Sequence, residues 1–388
     1  MWASTKVGGL LARTLSRMTA AQLISFARGA PSLDIIDVAG LKAAAARAFA
    51  VDPVAATGYG PATGYPPLRE WIGARLGVDA DHVLITNGSL QADAFLFEHL
   101  VSPGDDVIVE KPTYDRTLLN LKNMGAKIHQ VSLDRDGLDV AELRHLLESG
   151  VRPKLAHIIP NFQNPAGVTL ALVRRRQVIS LAREYQFTIF EDDPYVDIRF
   201  RGEALPSMLS LDDPSAPAVV AAGSFTKTVC PGVRVGYLVG PATTIADIAK
   251  RAVNTYISPN MLAEVTVHQF CASGDIDHSI ATVRAALAER ASLLARALWR
   301  EIPGCEFHEP DGGYFLWVDL PDDIDVDKLA PAATARGVAV VKGSDFLLEG
   351  GRHSLRLAFS AVTTDLVDEG VRRLAAAIAD VRGTTRTT

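Results

Sequence analysis

Ala218-Val219-Val220-Ala221-Ala222-Gly223-Ser224-Phe225-Thr226-Lys227-Thr228-Val229-Cys230-Pro231-Gly232-Val233-Arg234-Val235-Gly236-Tyr237 is the most informative stretch of this chain. Its opening run is apolar at every position and reads as a strand buried on both faces. A lysine directly after a buried strand costs free energy unless it has a task. Lysine forms a Schiff base when its neighbours depress its pKa. Ser224 and Arg234 flank Lys227 with a hydroxyl and a guanidinium, groups that suit a phosphate. Pro231-Gly232 makes a turn that brings Arg234 back towards the lysine. The plainer alternative is a surface lysine beside an ordinary turn.

Working outward, similar short runs rich in Val and Ile recur. They are His82–Thr86, Asp106–Val109, Lys127–Val131, Ala156–Ile159, Phe187–Phe190, Ala218–Ala222 and Val233–Val239. Helical segments such as Leu172–Tyr185 lie between them. This β-α-β-α order predicts an α/β fold: a three-layer, doubly wound, mostly parallel sheet. Ligands of such sheets sit at the carboxyl ends of the strands. After about residue 280 the texture changes. A long helix (Ser279–Arg300), strands at Tyr314–Leu320, Val338–Val341 and Leu355–Phe359, and a closing helix (Thr364–Val381) predict a smaller α+β domain. The expected division is 46–280 for the large domain, and 1–45 plus 281–388 for the small domain and N-terminal segment. Residues 1–33 carry four basic side chains and no acid, and predict a basic amphipathic opening helix. The tail from Arg382 reads as frayed.

Four further motifs sit where strands end. Glu191-Asp192-Asp193-Pro194-Tyr195 places three acids together, which repel unless a cation lies among them. A protonated pyridine nitrogen is such a cation, and a carboxylate beside it keeps the ring an electron sink; a solvated acidic turn is the alternative. Asn161-Phe162-Gln163-Asn164-Pro165-Ala166-Gly167 is an Asn-Pro turn that can aim an amide at a ligand. Thr86-Asn87-Gly88-Ser89-Leu90-Gln91 opens a helix whose N–H groups suit an anion, or is a simple cap. Lys111-Pro112-Thr113-Tyr114 offers a ring for stacking on a planar group, or a packed loop aromatic.

The 388 residues are 48% hydrophobic and 22% charged, a globular composition that excludes a disordered chain. Acids outnumber bases by 45 to 39, and no long Lys/Arg run occurs, so a nucleic-acid partner is not expected. Three cysteines without a CxxC, and scattered histidines without HExxH, argue against a disulfide framework and a metal site. A reducing cytoplasm is the expected compartment, with no membrane span.

Taken together, these motifs resemble the fold type I pyridoxal-phosphate aminotransferases of class I/II, nearest the kynurenine/2-aminoadipate aminotransferase branch. Tyr59-Gly60-Pro61-Ala62-Thr63-Gly64-Tyr65-Pro66-Pro67-Leu68-Arg69, Gly312-Gly313-Tyr314-Phe315-Leu316-Trp317 and Leu355-Arg356-Leu357-Ala358-Phe359-Ser360 also resemble this branch. The resemblance implies transfer of an α-amino group to a 2-oxo acid, by a ping-pong mechanism through a ketimine. It implies that Lys227 holds pyridoxal phosphate as a Schiff base and shuttles the proton. Asp192 would meet the ring nitrogen, with Asp193 the competitor for that role. Tyr195 and Asn164 would bind the ring 3-oxygen, and Tyr114 would stack on the ring. Ser89, the Leu90 backbone, Ser224 and Arg234 would cradle the phosphate, and Tyr59 would reach it from the neighbouring subunit of a homodimer with shared active sites. Arg356 would clamp the substrate α-carboxylate, with Asn164 beside it.

Two features depart from the branch. Leu90 stands where relatives often have Gln. Phe26-Ala27-Arg28-Gly29-Ala30-Pro31 replaces a common Gly-Gly pair, so Arg28 and Gly29 are candidates for the substrate side; Arg28 either faces a substrate side chain or points to solvent. Another pyridoxal-phosphate activity on the same scaffold (cyclase, eliminase or decarboxylase) would carry a similar set of residues. A non-catalytic, DNA-binding regulator is disfavoured, because the chain opens almost directly on the family's N-terminal segment and lacks basic excess.

Overall fold

The computed structural model describes residues 23–385. Most of the opening basic helix expected from the sequence therefore lies outside the described residues. What is described there begins with strand β1 (Ile24–Ser25) and a 3-10 turn at Leu33–Ile35.

The apolar runs form the strands expected of them: β2 (Val83–Thr86), β3 (Asp106–Lys111), β4 (Lys127–Asp134), β5 (Gly137–Leu138), β6 (Pro153–Ile158), β7 (Thr188–Asp192), β8 (Val219–Ser224) and β9 (Gly236–Val239). They make one eight-stranded sheet in the order β2-β9-β8-β7-β6-β3-β4-β5. From β8 through β4 the strands are parallel, whereas β9 is antiparallel to both β8 and β2, and β5 is antiparallel to β4. The reason is local. Only residues 225–235, with one 3-10 turn at Pro231–Val233, separate β8 from β9, and a parallel return needs a full crossover helix. The strand starts at Gly236 rather than at Val233, because that turn and a left-handed Arg234 occupy the preceding residues.

Side chains alternate across the sheet. Val107 and Val109 pack under one layer of helices with Leu84, Phe190 and Val220. Ile108 packs under the other with Ile158, Ile189 and Val219. The result is a three-layer α/β sandwich.

A second sheet has the order β10-β11-β14-β13, from Glu306–Phe307, Phe315–Asp319, Ser354–Ala358 and Val341–Lys342. The stretch expected as one strand at 338–341 is two: β12 (Val338–Ala339) leaves this sheet and pairs with β1. The 27-residue helix Asp275–Glu301 places Ile276 and Ile280 in the core beside β2 and β9, and Val283 through Leu298 in the core of the second sheet. The last helix runs Thr364–Thr385, beyond the expected end at Val381, so most of the tail expected to fray is helical.

Candidate active site

The parallel strands end at one edge of the large sheet, and their following loops carry Ser89, Tyr114, Asn164, Tyr195 and Lys227. Because β9 runs the other way, its entry reaches this edge: Ser224 pairs with Gly236, and Thr86 pairs with the same residue. Arg234, two residues earlier, is thereby delivered beside Ser224. A cavity of about 360 Å³ opens here, lined by Gly29, Ser89, Leu90, Tyr114, Asn164, Asp192, Tyr195, Ser224, Lys227, Arg234 and Arg356. Two candidates are not on its wall. Tyr59 is 86% exposed. Arg28 lines a separate, larger and mostly apolar cavity of about 690 Å³.

Lys227 Nζ donates to the carbonyl oxygen of Gly29 at 2.9 Å, and lies over the Tyr314 and Tyr195 rings at 4.8 and 5.5 Å. Burial, and after it the Arg356 guanidinium, pull its pKa down to about 8. The backbone can approach at Gly29 because a Cβ there would come within 2.6 Å of the Phe315 ring.

Asp192 lies on the cavity floor. Its Oδ2 is 3.4 Å from His157 Nε2, while its Oδ1 is buried with no partner among the described residues. Asp93, from helix Ser89–Leu100, joins them beneath the floor. Asp93, His157 and Asp192 offer ligand atoms within 4.8 Å of one another, a grouping that sequence reading missed and whose spacing would also admit a metal ion. Burial, then the Asp192 charge, push the Asp93 carboxyl well above its ordinary range.

Asp193 points the other way, as alternation along a strand requires. Its Oδ2 accepts from Asn161 Nδ2 at 2.6 Å. Asn161 Oδ1 in turn accepts from Arg175, a fully buried guanidinium that also donates to the carbonyls of Leu170, Pro206 and Pro160. Burial, then Glu191, push Asp193 up to about 8. Glu191 accepts from the backbone N–H groups of Met208 and Leu209. The three acids thus separate: one faces the cavity, and two are spent inside the protein.

At the opposite end, Ser89 starts the helix Ser89–Leu100 behind a left-handed Gly88. A Cβ on Gly88 would lie 2.2 Å from Arg234 Nη2, which donates to Asn87 O at 3.1 Å. Ser224 Oγ accepts from Thr226 N. The helix N–H groups, a hydroxyl and a guanidinium therefore converge around a concavity suited to an anion. Leu90 adds no polar side chain.

Arg356 stands on β14 opposite Trp317 and Val341. Its guanidinium lies between the rings of Phe315 and Phe346, at 4.3 and 4.8 Å. It donates to Asn164 Oδ1 and Ala27 O, and its Nε has no partner among the described residues. Tyr195 is buried and its hydroxyl is held well above its ordinary pKa, chiefly by burial.

Residues 21–374 match the family model for aminotransferase class I and II. The chain belongs to this family. It is 31% identical to aromatic-amino-acid aminotransferase 1 of Thermococcus litoralis, over 94% of this chain and 90% of the relative. Among solved structures, LysN, the alpha-aminoadipate aminotransferase of Thermus thermophilus complexed with N-(5'-phosphopyridoxyl)-L-leucine, superposes with a TM-score of 0.89 at 30% identity, covering 96% of this chain and 95% of that one. The kynurenine aminotransferase of Pyrococcus horikoshii gives 0.89 at 32% identity, covering 98% and 95%. The fold is therefore the fold type I transferase fold, and this aminotransferase uses pyridoxal phosphate. The cavity fits that group on its own terms: an unpartnered Asp192 oxygen suits a ring N–H, and the Ser89–Arg234 concavity suits a phosphate.

Proposed function

We propose that this aminotransferase moves the amino group of an α-amino acid to a 2-oxo acid, with Lys227, Asp192 and Tyr195 as the catalytic residues. The observation that carries this reading is the convergence on one cavity of a lysine with a depressed pKa, a carboxylate with a free oxygen, and a buried arginine. When bound, pyridoxal phosphate supplies a carbonyl carbon and an electron-accepting ring. Arg234, Ser89, Ser224 and the Leu90 N–H hold the phosphate. Asp192 holds the proton on the ring nitrogen, supported by His157. Tyr195 and Asn164 hold the ring oxygen, and Tyr114 packs on the ring face. Arg356 receives the α-carboxylate and fixes which Cα bond faces Lys227. Lys227 attaches the cofactor, then takes the Cα proton and returns it one carbon away.

Tyr59 fits the role of a phosphate ligand lent by a partner subunit, since a tyrosine 86% exposed in one chain is poorly placed for anything within it. The proposed assembly is a homodimer. The proposed compartment is the cytoplasm, consistent with three cysteines that form no disulfide; no helix among the described residues is long and apolar enough to cross a membrane. The test is to incubate holoenzyme with one amino acid and various 2-oxo acids and to identify the new amino acid and oxo acid formed. Ammonia or CO₂ as the product would exclude the reading.

A further inference from the structure

The segment 26–34 divides two cavities. Gly29 lines the one that holds Lys227 and Arg356, whereas Arg28, Pro31 and Ser32 line the apolar cavity of about 690 Å³ on the other side. Among the described residues little packs behind this segment, so its position depends on its hydrogen bonds.

Backbone pins the entry: Phe26 N donates to Ala339 O at 2.9 Å, and Phe26 O accepts from Ala358 N at 2.7 Å. Two side chains hold the middle. Arg356 Nη2 donates to Ala27 O and Lys227 Nζ to Gly29 O, each at 2.9 Å. The exit is held by Ser32 N, which donates to Ser360 O at 3.2 Å, and by Arg290. Arg290 Nη1 donates to Ser32 Oγ at 2.7 Å and to Ser360 O at 2.8 Å, and Nη2 donates to Asp34 Oδ2 at 2.5 Å. Arg290 stands on the helix Asp275–Glu301 with its side chain 2% exposed, and lies off the cavity wall. A buried guanidinium is costly unless its donors are used. Those of Arg290 go to this segment and to Ser360, just past the strand that carries Arg356.

The two middle ties are temporary. On the proposed function, Lys227 gives up its ammonium when it attaches the cofactor, and Arg356 turns donors to the substrate carboxylate. The Arg290 tie uses no group that cofactor or substrate claims. We propose that Arg290 is a positioning residue: by fixing Ser32 and Asp34 it sets the Ala27 and Gly29 carbonyls against Arg356 and Lys227, and so holds both cations in place from outside the cavity. The inference rests on the aminotransferase reading and adds to that site a residue that touches neither cofactor nor substrate.

The test uses Arg290→Met, which keeps much of the side chain's length and removes its donors. In apoprotein, the pH midpoint of pyridoxal-phosphate capture reports on Lys227. With the segment loosened, water reaches the amine and replaces the Gly29 carbonyl, so relief of desolvation is the net change. The midpoint is expected to rise from near 8 by about one pH unit. In holoenzyme, KM for the amino acid is expected to rise about tenfold, the effect of one misplaced charge-assisted contact, while kcat falls less. Arg290→Lys, with donors enough for Ser32 and Asp34, should recover part of both changes. A lowered Tm with midpoint and KM unmoved would make Arg290 merely structural and overturn the proposal. If Arg290→Met does not fold, Ser32→Ala combined with Asp34→Ala severs the same tie from the segment's side. The same two shifts are expected there, and their absence overturns the proposal equally. Wild type that captures the cofactor but transfers no amino group sinks the aminotransferase reading instead, and the midpoint comparison still judges Arg290.

Discussion

Arg356 Nη1 donates a 3.1 Å hydrogen bond to the side-chain oxygen of Asn164. One residue belongs to the small sheet, and the other to the loop after β6 of the large sheet. The bond ties the group assigned to the substrate carboxylate to a group assigned to the cofactor ring. Arg356→Lys keeps the charge but loses the planar fork. Its kcat/KM for α-amino acids is expected to fall about a hundredfold, while the cofactor dissociation constant changes little. Steady-state kinetics beside a cofactor titration check this. A similar fall for an amine without a carboxylate would remove Arg356 from its assigned role.

Asp192 and Asp193 are neighbours with opposite fates. Asp192→Ala is expected to bind cofactor yet lose about a hundredfold or more in kcat, the scale of a lost electrostatic partner. Asp193→Ala breaks the contact with Asn161 beside buried Arg175 and is expected to cost about 1–3 kcal/mol of stability. Urea denaturation and kcat, measured on both variants, separate the two. An active Asp192→Ala with an inactive, stable Asp193→Ala would reverse the assignment.

Lys227 is held near pKa 8 by burial and by Arg356. Only the neutral amine attacks a carbonyl group. In apoprotein, the rate of cofactor capture is therefore expected to rise about tenfold per pH unit below 8 and to level off above it. Stopped-flow absorbance across pH 6–10 measures this. Lys227→Ala should fold, yet show no borohydride-fixed cofactor. A rise that continues through pH 10 would mean an unperturbed lysine.

Glu110 is buried at the end of β3, where its Oε2 accepts from Gln163 Nε2 and Ile159 N. Burial pushes its pKa up to about 8 from an unfolded value of 4.5. A raised carboxyl pKa contributes stability that is full below 4.5 and is lost as pH rises towards 8. Glu110→Gln removes that titration. Its Tm should fall less than that of wild type between pH 5 and 8. Equal slopes would show that Glu110 is ionised in the fold.

Tyr59 yields a complementation test. Lys227→Ala and Tyr59→Ala subunits, each weak or inactive alone, should recover about a quarter of wild-type activity when mixed equally and reassociated, since half the dimers then hold one intact site. No recovery in a demonstrated heterodimer would place Tyr59 outside the neighbour's site.

Much of this was legible in the sequence, because strand burial and loop position follow from apolar runs and turn residues. The spacing to Tyr195 favours Asp192 over Asp193 by resemblance to the family, and of the two it is Asp192 that lines the cavity. Buried charge was harder to see. Arg175 sits among Arg174 and Arg176 and looks like a solvated helix face, yet it shares its helical stripe with Val178, Ile179 and Ala182. Asp93 interrupts the apolar stripe of Ala92, Phe95, Leu96 and Phe97 in the same way. An ionisable residue at a core-facing position was the available signal. The pairing of His157 with Asp192 and the tie of Arg290 to Ser32 and Asp34 depend on contacts across distant segments. No local pattern encodes those.

The central claim is tested most directly by a single half-reaction. Holoenzyme is mixed with excess amino acid and no oxo acid, and the oxo acid formed is counted per site. The account predicts one equivalent, then a halt that an added 2-oxo acid releases. Continuous turnover without an acceptor, or formation of no oxo acid, would contradict it.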